Sequence, residues 1–251
     1  MQKLAFCLSL FFSLPITGIA QQPPSRWGAQ VSYAYEALSG RRAPWQISSA
    51  ILQRHFAKTT LLAELASVQR FRRRDLAFAL EGWAALWPQA YGNLRLQYAP
   101  SPNFSPTYEP YLELYQGIGA WEVAVALRYR HFSNQEVTTW GLATGRYLGN
   151  WYLRTQALVT VVVGHFNWTQ RILARRYGTS PTSFVEVQAG YGRGVEIVDT
   201  GPVLKQLRTY FVTCRIQHFL TQTVGGTIGL SYSNDDLFTR RGAVLGVLTR
   251  W

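Results

Sequence analysis

The chain has 251 residues, of which 47% are hydrophobic, 14% are aromatic and only 15% are charged, and its formal net charge is +12. This composition excludes a disordered chain and is untypical of a helical enzyme, while the length allows one large all-β domain or two ordinary domains. The basic balance alone fits nucleic acid, an anionic membrane surface or an anionic solute as the partner.

The first twenty residues have the pattern of a secretory signal peptide. Lys3 precedes the apolar run LAFCLSLFFSL, which is too short to span a bilayer as a helix. Gly18 and Ala20 are the small residues expected just before a cleavage site. We therefore predict that residues 1–20 are removed on export and that residues 21–251 form a single domain. One cysteine remains after cleavage, so an intramolecular disulfide is excluded.

From residue 27 onward, apolar and polar residues alternate in many short segments. In WEVAVALRYR, one face carries Trp, Val, Val, Leu and Tyr, and the other carries Glu, Ala, Ala, Arg and Arg. WGAQVSYAYEA, YGNLRLQYA, SFVEVQAGYG and VGGTIGLSYS repeat this period of two, which indicates strands with one apolar and one polar face. Four of the segments alternate poorly, so twelve strands are an alternative to fourteen. In chain order, the predicted strands are 27–37, 45–56, 59–71, 76–87, 91–99, 107–116, 121–132, 137–148, 151–163, 168–177, 183–192, 207–219, 224–233 and 238–251.

The connections between the predicted strands alternate in character. Tight turns such as Gly149-Asn150 follow most even-numbered strands, whereas longer or more polar segments such as RRRD (72–75) follow the odd-numbered ones. The longest is RGVEIVDTGPVLKQ at 193–206. This layout is typical of an outer-membrane β-barrel. We therefore predict an all-β fold, a closed antiparallel transmembrane barrel of about fourteen strands in the outer membrane.

A soluble β-sandwich or a lipocalin-like barrel has the same alternation, and the direction of the apolar face separates the two classes. The polar faces hold many Gly, Ala and Ser residues beside Arg and Glu, which suits an enclosed interior. Trp121 and Tyr129 stand eight residues apart on one apolar face, about 27 Å at ~3.4 Å per residue. With a tilt of ~40°, this height is about 20 Å, close to the ~25 Å lipid-facing band of a membrane barrel. The apolar face is therefore predicted to point outward.

The last segment, GAVLGVLTRW, resembles the C-terminal signal of outer-membrane proteins, which reads polar-x-Gly-x-x-apolar-x-aromatic. Gly246 and Trp251 match this pattern, whereas Val244 and Thr249 stand where a polar and an apolar residue are typical. We expect Gly246 and Trp251 to form a signal for the barrel-assembly machinery, with Trp251 also an anchor at the membrane interface.

Three further motifs point to a family. LASVQRFRRRD places an Arg-Phe pair before a charged turn, LRYRHFSNQEV forms a Tyr-Arg…Phe-Ser hairpin, and GRYLGNWYLRTQ places a two-residue Gly-Asn turn between aromatic residues, which fixes a hairpin register. In order and spacing, these motifs resemble the YaiO family of outer-membrane β-barrel proteins over essentially the whole chain after the signal peptide. The resemblance implies an outer-membrane barrel and, through the surface-polysaccharide gene clusters of family members, a link to polysaccharide. It implies no catalytic residue.

One enzymatic alternative is an outer-membrane lipid hydrolase, since such enzymes use a His-x-Ser pair, which here is His131 and Ser133. The pair needs a residue that orients the imidazole. ATGRY at 143–147 contains neither a carboxylate nor a side-chain amide, and Glu136 is expected to lie too close in the turn to reach the ring. We therefore predict no enzymatic activity. No ligand spacing joins the remaining histidines, so we predict no metal and no cofactor; they are His55, His165 and His218.

The polar faces carry the residues that we expect to line the lumen. One interpretation is a water-filled path with a net positive lining, which prefers anionic solutes or sugars stacked on aromatic rings. The other is a salt-bridged interior that rigidifies a non-conducting barrel. Barrel width does not separate the two, because fourteen strands lie between filled and open barrels. The candidates are Glu81, Trp83, Arg95, Tyr111, Glu113, Tyr115, Glu122, Arg128, Arg130, Arg154, Glu186 and Arg215.

The function predicted from these observations is a passive pore or an accessory conduit for anionic or sugar solutes linked to surface polysaccharide. The alternatives are a structural or surface-interaction barrel and, more distantly, the lipid hydrolase. The expected partners are outer-membrane lipids and lipopolysaccharide, whose phosphates would pair with rim arginines such as Arg41, Arg42 and Arg72–Arg74. Export to this location argues against nucleic acid.

Overall fold

The computed structural model describes residues 27–40, 42–162, 164–197 and 204–251, so the predicted signal peptide at 1–20 lies outside the described residues. Within the described ranges, no helix is long and apolar enough to cross a membrane. The fourteen strands are β1 (Trp27–Leu38), β2 (Trp45–His55), β3 (Thr59–Arg70), β4 (Arg73–Trp87), β5 (Ala90–Tyr98), β6 (Tyr108–Ile118), β7 (Trp121–His131), β8 (Glu136–Leu148), β9 (Trp151–Val162), β10 (His165–Tyr177), β11 (Phe184–Ile197), β12 (Leu204–Phe219), β13 (Val224–Asp235) and β14 (Thr239–Arg250).

The strands form one closed antiparallel barrel. Each strand pairs with its neighbours in sequence, and β14 closes the sheet onto β1 in a register that runs from Gly28 opposite Arg250 to Leu38 opposite Arg240. Closure leaves no free sheet edge and lets the strands satisfy their backbone hydrogen bonds without water. The predicted closed barrel is confirmed, with fourteen strands rather than twelve.

The apolar faces of the strands point outward. In β7, Val123 and Val125 are exposed on the outer surface, whereas Ala124 and Ala126 are buried inside. On the neighbouring strand, Leu142 is 63% exposed. This arrangement reverses that of a soluble barrel and gives the wall an apolar outer face and a polar inner face.

The two ends of the barrel differ in their connections. The end with the turns after odd-numbered strands is called the odd-turn end, and the opposite one the even-turn end. The odd-turn end carries the longest described connection, residues 99–107, whereas Gly149 and Asn150 alone join β8 to β9 at the even-turn end, as predicted. Two-residue turns occur at both ends, but the longest described connection lies at the odd-turn end, and the longer loops of outer-membrane barrels typically face the cell exterior.

The connection between β11 and β12 differs from the prediction. The segment 193–206 was expected to be the longest loop, but Val195 pairs with Gln206 and the strands continue to Ile197 and from Leu204. That prediction is wrong because glycine and charged residues that are typical of loops are held here in the ladder between two long strands. Residues 198–203 lie outside the described residues.

The turn between β3 and β4 is also shifted relative to the prediction. Phe71 and Arg72 form the two-residue turn with positive φ angles of 52° and 60°, and β4 begins at Arg73, so RRRD is mainly strand. Two-residue hairpin turns use such left-handed conformations, which cost free energy in residues other than glycine. Packing offsets this cost, since the Phe71 ring lies edge-on to Trp45 and Phe104, with centroids 5.7 and 6.2 Å away.

Candidate functional site in the barrel interior

Inward side chains from β4 to β11 surround a central cavity of about 120 Å³. Such a volume holds roughly four water molecules at ~30 Å³ each. Four arginines face two glutamates among its described lining residues, so the lining has an excess of two positive charges; these residues are Arg95, Arg128, Arg154, Arg171, Glu81 and Glu113. Three aromatic side chains complete the wall, namely Trp83, Tyr111 and Tyr115. The cavity therefore combines cationic and aromatic groups.

Glu113 is the centre of one network in this wall. The hydroxyls of Tyr111 and Tyr115 each donate a hydrogen bond to its Oε2 atom at 2.5 Å, and Arg154 forms an ion pair with its Oε1 atom. The Arg128 guanidinium lies 4.7 Å from the centre of the Tyr111 ring. These contacts form because alternate positions of β6 and β7 face the same interior space. They satisfy the buried Glu113 charge and fix the direction of the neighbouring cations.

A second network joins β3, β4 and β5. Arg95 places one guanidinium nitrogen 2.9 Å from Glu64 Oε2 and 3.6 Å from Glu81 Oε2. The Trp83 indole N–H and the Asn93 side-chain amide both donate to Glu81 Oε1, at 2.7 and 2.9 Å. The positive charge of Arg95 is therefore shared between two carboxylates.

Two more glutamates lie nearer the even-turn end. Glu122 accepts hydrogen bonds from the hydroxyls of Tyr91 and Tyr152, both at 2.6 Å. Glu186 lies between two buried arginines: Arg175 Nε donates to its Oε2 atom at 2.7 Å, and Arg215 to its Oε1 atom at 3.1 Å. This half of the interior thus holds carboxylates with charged or hydroxyl partners, and beside them lies a buried apolar cluster of Ile51, Leu62, Trp83, Tyr115, Ala124 and Ala143.

The structure brings most of the predicted lumen residues together. Those that line the central cavity are Glu81, Trp83, Arg95, Tyr111, Glu113, Tyr115, Arg128 and Arg154. Glu122, Glu186 and Arg215 lie in the even-turn half, and Arg130 lies near the odd-turn end with 1% of its surface exposed. Sequence reasoning missed Arg171, although it shares the inward parity of Asn167 and Thr169 on β10.

An apolar cluster closes the interior at the odd-turn end, and we call it the apolar cap. Its members come from strand ends on several sides of the barrel and from three odd turns; they are Trp45, Ile47, Val68, Phe104, Phe132, Val137, Val162, Val195, Leu207 and Phe238. Trp45, Phe132 and Val137 are only 1%, 2% and 0% exposed. The alternation in the sequence did not predict this cap, since it assigned large apolar residues to the lipid face.

Asp75 holds one part of the apolar cap in place. Its buried carboxylate accepts hydrogen bonds from the backbone N–H groups of Asn103, Phe104 and Ser105, at 2.8, 3.1 and 2.8 Å. Because these residues belong to the 99–107 connection, the carboxylate folds this loop inward and inserts the Phe104 ring into the cap.

Two buried cations lie against the apolar cap. The Arg70 guanidinium is 3.9 Å from the centre of the Trp45 ring, and that of Arg240 is 4.9 Å from it. Arg240 also pairs with Asp235 at 3.3 Å. The Trp45 ring, which also lies edge-on to Phe238 at 5.6 Å, therefore holds apolar and cationic groups together at this end.

The possible hydrolase pair has an unexpected neighbour. Glu136 lies directly opposite His131 in the β7–β8 ladder, and its carboxylate is 3.5 Å from the imidazole Nδ1 atom. The expectation that Glu136 lies too close in the turn to reach the ring is wrong, because cross-strand pairing places the two side chains next to each other. Within the described part of the chain, no group of three or more His, Cys, Asp or Glu side chains could hold a metal ion.

A closed fourteen-stranded barrel with an apolar outer face and a charged interior defines an outer-membrane β-barrel protein. The family model described as the YaiO membrane beta barrel domain matches residues 28–195, which is more than half of the chain. The chain therefore belongs to the YaiO family, as its motifs predicted, and it is an outer-membrane protein.

Solved structures share the barrel architecture at low sequence identity. A "Bacterial polysaccharide outer membrane secretin" is 9% identical, with a TM-score of 0.54, and the match covers 92% of this chain and all (100%) of that one. Omp33 of Acinetobacter baumannii is 12% identical, with a TM-score of 0.52 and the same coverage of 92% and 100%. At these identities the similarity concerns the fold alone. None of the curated protein sequences compared with the chain matches it significantly.

Proposed function

We propose that this protein is an outer-membrane conduit for small anionic or sugar solutes linked to surface polysaccharide, and that the central cavity is its selective element. The observation that carries this proposal is the lining of four arginines, two glutamates and three aromatic side chains. Guanidinium groups bind carboxylates and phosphates through paired hydrogen bonds, and charged side chains set the ion preference of pores. Flat aromatic rings beside them offer stacking surfaces to a sugar.

The apolar cap acts as the gate of this conduit. Apolar constrictions stop conduction because water leaves them, and the cap has fully buried members such as Val137. Three backbone hydrogen bonds to Asp75 hold the 99–107 segment inward, so displacement of this one segment removes Phe104 from the cap. We therefore expect the wild-type protein to be mostly closed.

Single-channel conductance in planar bilayers tests this proposal on the full chain. Phe104→Ala removes a cap ring, and we expect it to raise the open fraction or the conductance over the wild type. Phe78→Ala is the matched control, because Phe78 is 49% exposed on the outer face of the neighbouring β4 strand. The absence of conductance from both the wild type and Phe104→Ala would rule out a conduit.

Ion selectivity then tests the role of the cavity. In the Phe104→Ala background, we expect anions to be preferred over cations in a salt gradient. Arg128→Gln removes one of the four cavity arginines and should shift the reversal potential towards cations, whereas Arg146→Gln, on the outer face at the even-turn end, should leave it unchanged. Equal shifts in the two variants would contradict selection in the cavity.

A second candidate is a non-conducting structural barrel without enzymatic activity. The observations that favour it are the buried apolar cap and the ion pairs that engage Glu64, Glu113 and Glu186. For this function, Phe104→Ala would lower stability and leave conductance at background, so the experiments above separate the two candidates.

Export and assembly belong to the same proposal, with residues 1–20 as the cleavable signal and Gly246 and Trp251 as the signal for the assembly machinery. Trp251 is 58% exposed, and its backbone N–H donates to Trp27 O at 3.0 Å. A Cβ atom on Gly246 would lie 2.7 Å from a Thr227 methyl carbon and 3.1 Å from Val31 O, so only glycine fits between these strands. We expect Trp251→Ala to reduce heat-modifiable barrel in outer-membrane fractions, and normal amounts would contradict the assembly role.

A further inference from the structure

The outer face of the β11–β12 hairpin changes in character from one end to the other. Three aliphatic or thiol-containing pairs stand nearest the even-turn end, followed by Tyr191 opposite Tyr210 and then by Arg193 opposite Arg208. Beyond them, Val195 opposite Gln206 belongs to the apolar cap. The two tyrosine and two arginine side chains of these pairs are exposed on the outer face. Successive outward pairs are about 6.8 Å apart at ~3.4 Å per residue. From Val185 to Arg193 the strand runs about 27 Å at ~3.4 Å per residue, so the order matches the depth profile from the hydrocarbon core through the outer interface to the phosphates.

The pairing of Arg193 with Arg208 places two cations directly opposite each other. Like charges at such positions destabilise a sheet. Asp236 lies nearby on the β13–β14 turn, where it accepts a hydrogen bond from the backbone N–H of Arg208 at 2.8 Å. The single carboxylate of Asp236 cannot neutralise two guanidinium groups, so the surface formed by Arg193, Arg208 and Asp236 keeps an excess of positive charge.

Outward arginines at the even-turn end are arranged differently. Three of them lie opposite a tryptophan and place the guanidinium over its ring, with distances to the centroid of 4.9, 4.8 and 5.7 Å; the pairs are Arg54 with Trp27, Arg146 with Trp121, and Arg176 with Trp151. An aromatic face attracts a cation, so these pairs are favourable within the protein. Arg193 and Arg208 face a second cation instead, and an external anion would offset their repulsion.

We propose that Arg193 and Arg208 bind the phosphate of a phosphorylated glycolipid in the outer leaflet, with Tyr191 and Tyr210 at the level of the sugar and acyl boundary. A phosphate offers several oxygens to two guanidinium forks and carries enough negative charge to compensate both. The outward pair directly below the tyrosines, Ala189 opposite Val212, provides the contact for the acyl chains.

Three of the rim arginines named from sequence, Arg42, Arg73 and Arg74, have side-chain contacts within the protein. Arg42 lies over the Phe238 ring at 5.0 Å, Arg73 donates to the Asn103 side chain at 3.4 Å, and Arg74 donates to the Ser67 hydroxyl at 2.6 Å. Arg41 lies outside the described residues. The Arg193–Arg208 pair is therefore the better-placed site for a lipid phosphate.

The test uses the full-length protein in phosphatidylethanolamine vesicles that contain bisphosphorylated lipid A or its dephosphorylated form. Lipid retained after detergent extraction is measured by native mass spectrometry, and folding is checked by heat-modifiable gel mobility. The wild type should retain the phosphorylated form, and Arg193→Gln/Arg208→Gln should weaken retention by on the order of tenfold or more. Arg146→Gln/Arg176→Gln removes the same charge at the other end and should retain the lipid.

A stability measurement separates this site from a merely structural role. In neutral detergent without lipid A, Arg208→Gln should raise the unfolding temperature because it removes the repulsion from Arg193. In vesicles with phosphorylated lipid A, the same variant should gain less stabilisation than the wild type. Equal retention by the wild type and the double variant, or equal retention of phosphorylated and dephosphorylated lipid A, would overturn the proposal. Neither result depends on conductance, so the site and the conduit are tested separately.

Discussion

The two halves of the barrel interior are built from different chemistry, although inward side chains line both. The even-turn half holds carboxylates with arginine or tyrosine partners, such as Glu186 between Arg175 and Arg215, beside an apolar cluster that lacks phenylalanine and includes Ile51 and Leu62. The odd-turn end holds the apolar cap around Trp45 and Phe132. The comparison teaches that a charged lining and a dry closure can coexist in one barrel, because loops deliver rings that the strands alone would not place inside. Three substitutions inside the barrel and one on its outer face test this difference, in order of decreasing expected effect.

Trp45→Ala should have the largest effect, because Trp45 is 1% exposed and contacts Phe71, Phe238 and two arginines. Loss of a buried aromatic side chain costs about 3–5 kcal/mol. We expect this loss in the free energy of unfolding in urea, together with a higher conductance. Trp140→Ala, which removes a 56% exposed outward ring, is the control. Equal effects of the two substitutions would show that the cap contributes no more to stability and closure than the outer face does.

Glu113→Gln should cause the second-largest loss in the free energy of unfolding, and Glu122→Gln is its matched control. Both glutamates are buried, at 5% and 4% exposure, and both accept two tyrosine hydroxyls, but Glu113 also pairs with Arg154. Loss of a hydrogen bond to a charged partner costs about 1.5–3 kcal/mol, so Glu113→Gln should destabilise the barrel more than Glu122→Gln. Urea unfolding of the two variants in parallel measures the difference, and identical midpoints would argue against a stabilising ion pair.

Asp75→Asn should release part of the 99–107 segment, since one carboxylate oxygen that accepts from Phe104 and Ser105 is replaced by an amide donor. We expect the free energy of unfolding to fall by roughly 1–3 kcal/mol and proteolysis of this segment to become faster. Asn103→Ala removes one side-chain hydrogen bond to Asp75, of 2.9 Å, and two exposed contacts of 3.4 Å to Arg73 and Arg74, but it keeps the backbone hydrogen bonds to Asp75 and should have a smaller effect. If proteolysis of the segment were the same in Asp75→Asn and the wild type, Asp75 would not be its anchor.

Arg146→Gln should have the smallest effect, because it removes one exposed cation from over the Trp121 ring, 4.8 Å from its centroid. Exposed cation–π contacts contribute about 0.5–1 kcal/mol. Arg176→Gln beside Trp151 should match it, since the two pairs have the same cross-strand geometry. The temperature at which gel mobility changes measures the stability of these variants. A loss of stability as large as that of Trp45→Ala would contradict the expected order of the effects.

The sequence predicted the wall of the barrel well because strand alternation is a local property. Val125 outside and Glu122 inside follow directly from the period of two, and the Gly149-Asn150 turn fixes where β8 meets β9. The same parity placed Tyr111, Glu113 and Arg154 on the inner face. Alternation is poor in β10, and prediction missed Arg171 at the middle of this strand.

Other parts could not be predicted from sequence. Phe104 and Phe132 lie in turns, where no period assigns a side chain to the lumen. Glu136 was expected to lie too close in the turn to reach the ring of His131, yet cross-strand pairing places its carboxylate 3.5 Å from the imidazole. These contacts depend on loop geometry and on register across strands, which local patterns do not encode.

The sequence by itself therefore determined the class of fold, the direction of each face and the membership of the YaiO family, because alternating hydrophobicity, turn chemistry and spaced motifs are readable along one strand or hairpin. Only the tertiary structure decided which partners meet: the closure of β14 onto β1, the four arginines around one cavity, the apolar cap, and Arg193 opposite Arg208. The physical reason is that these features arise between segments distant in sequence, where barrel closure and register bring together side chains that no local pattern connects.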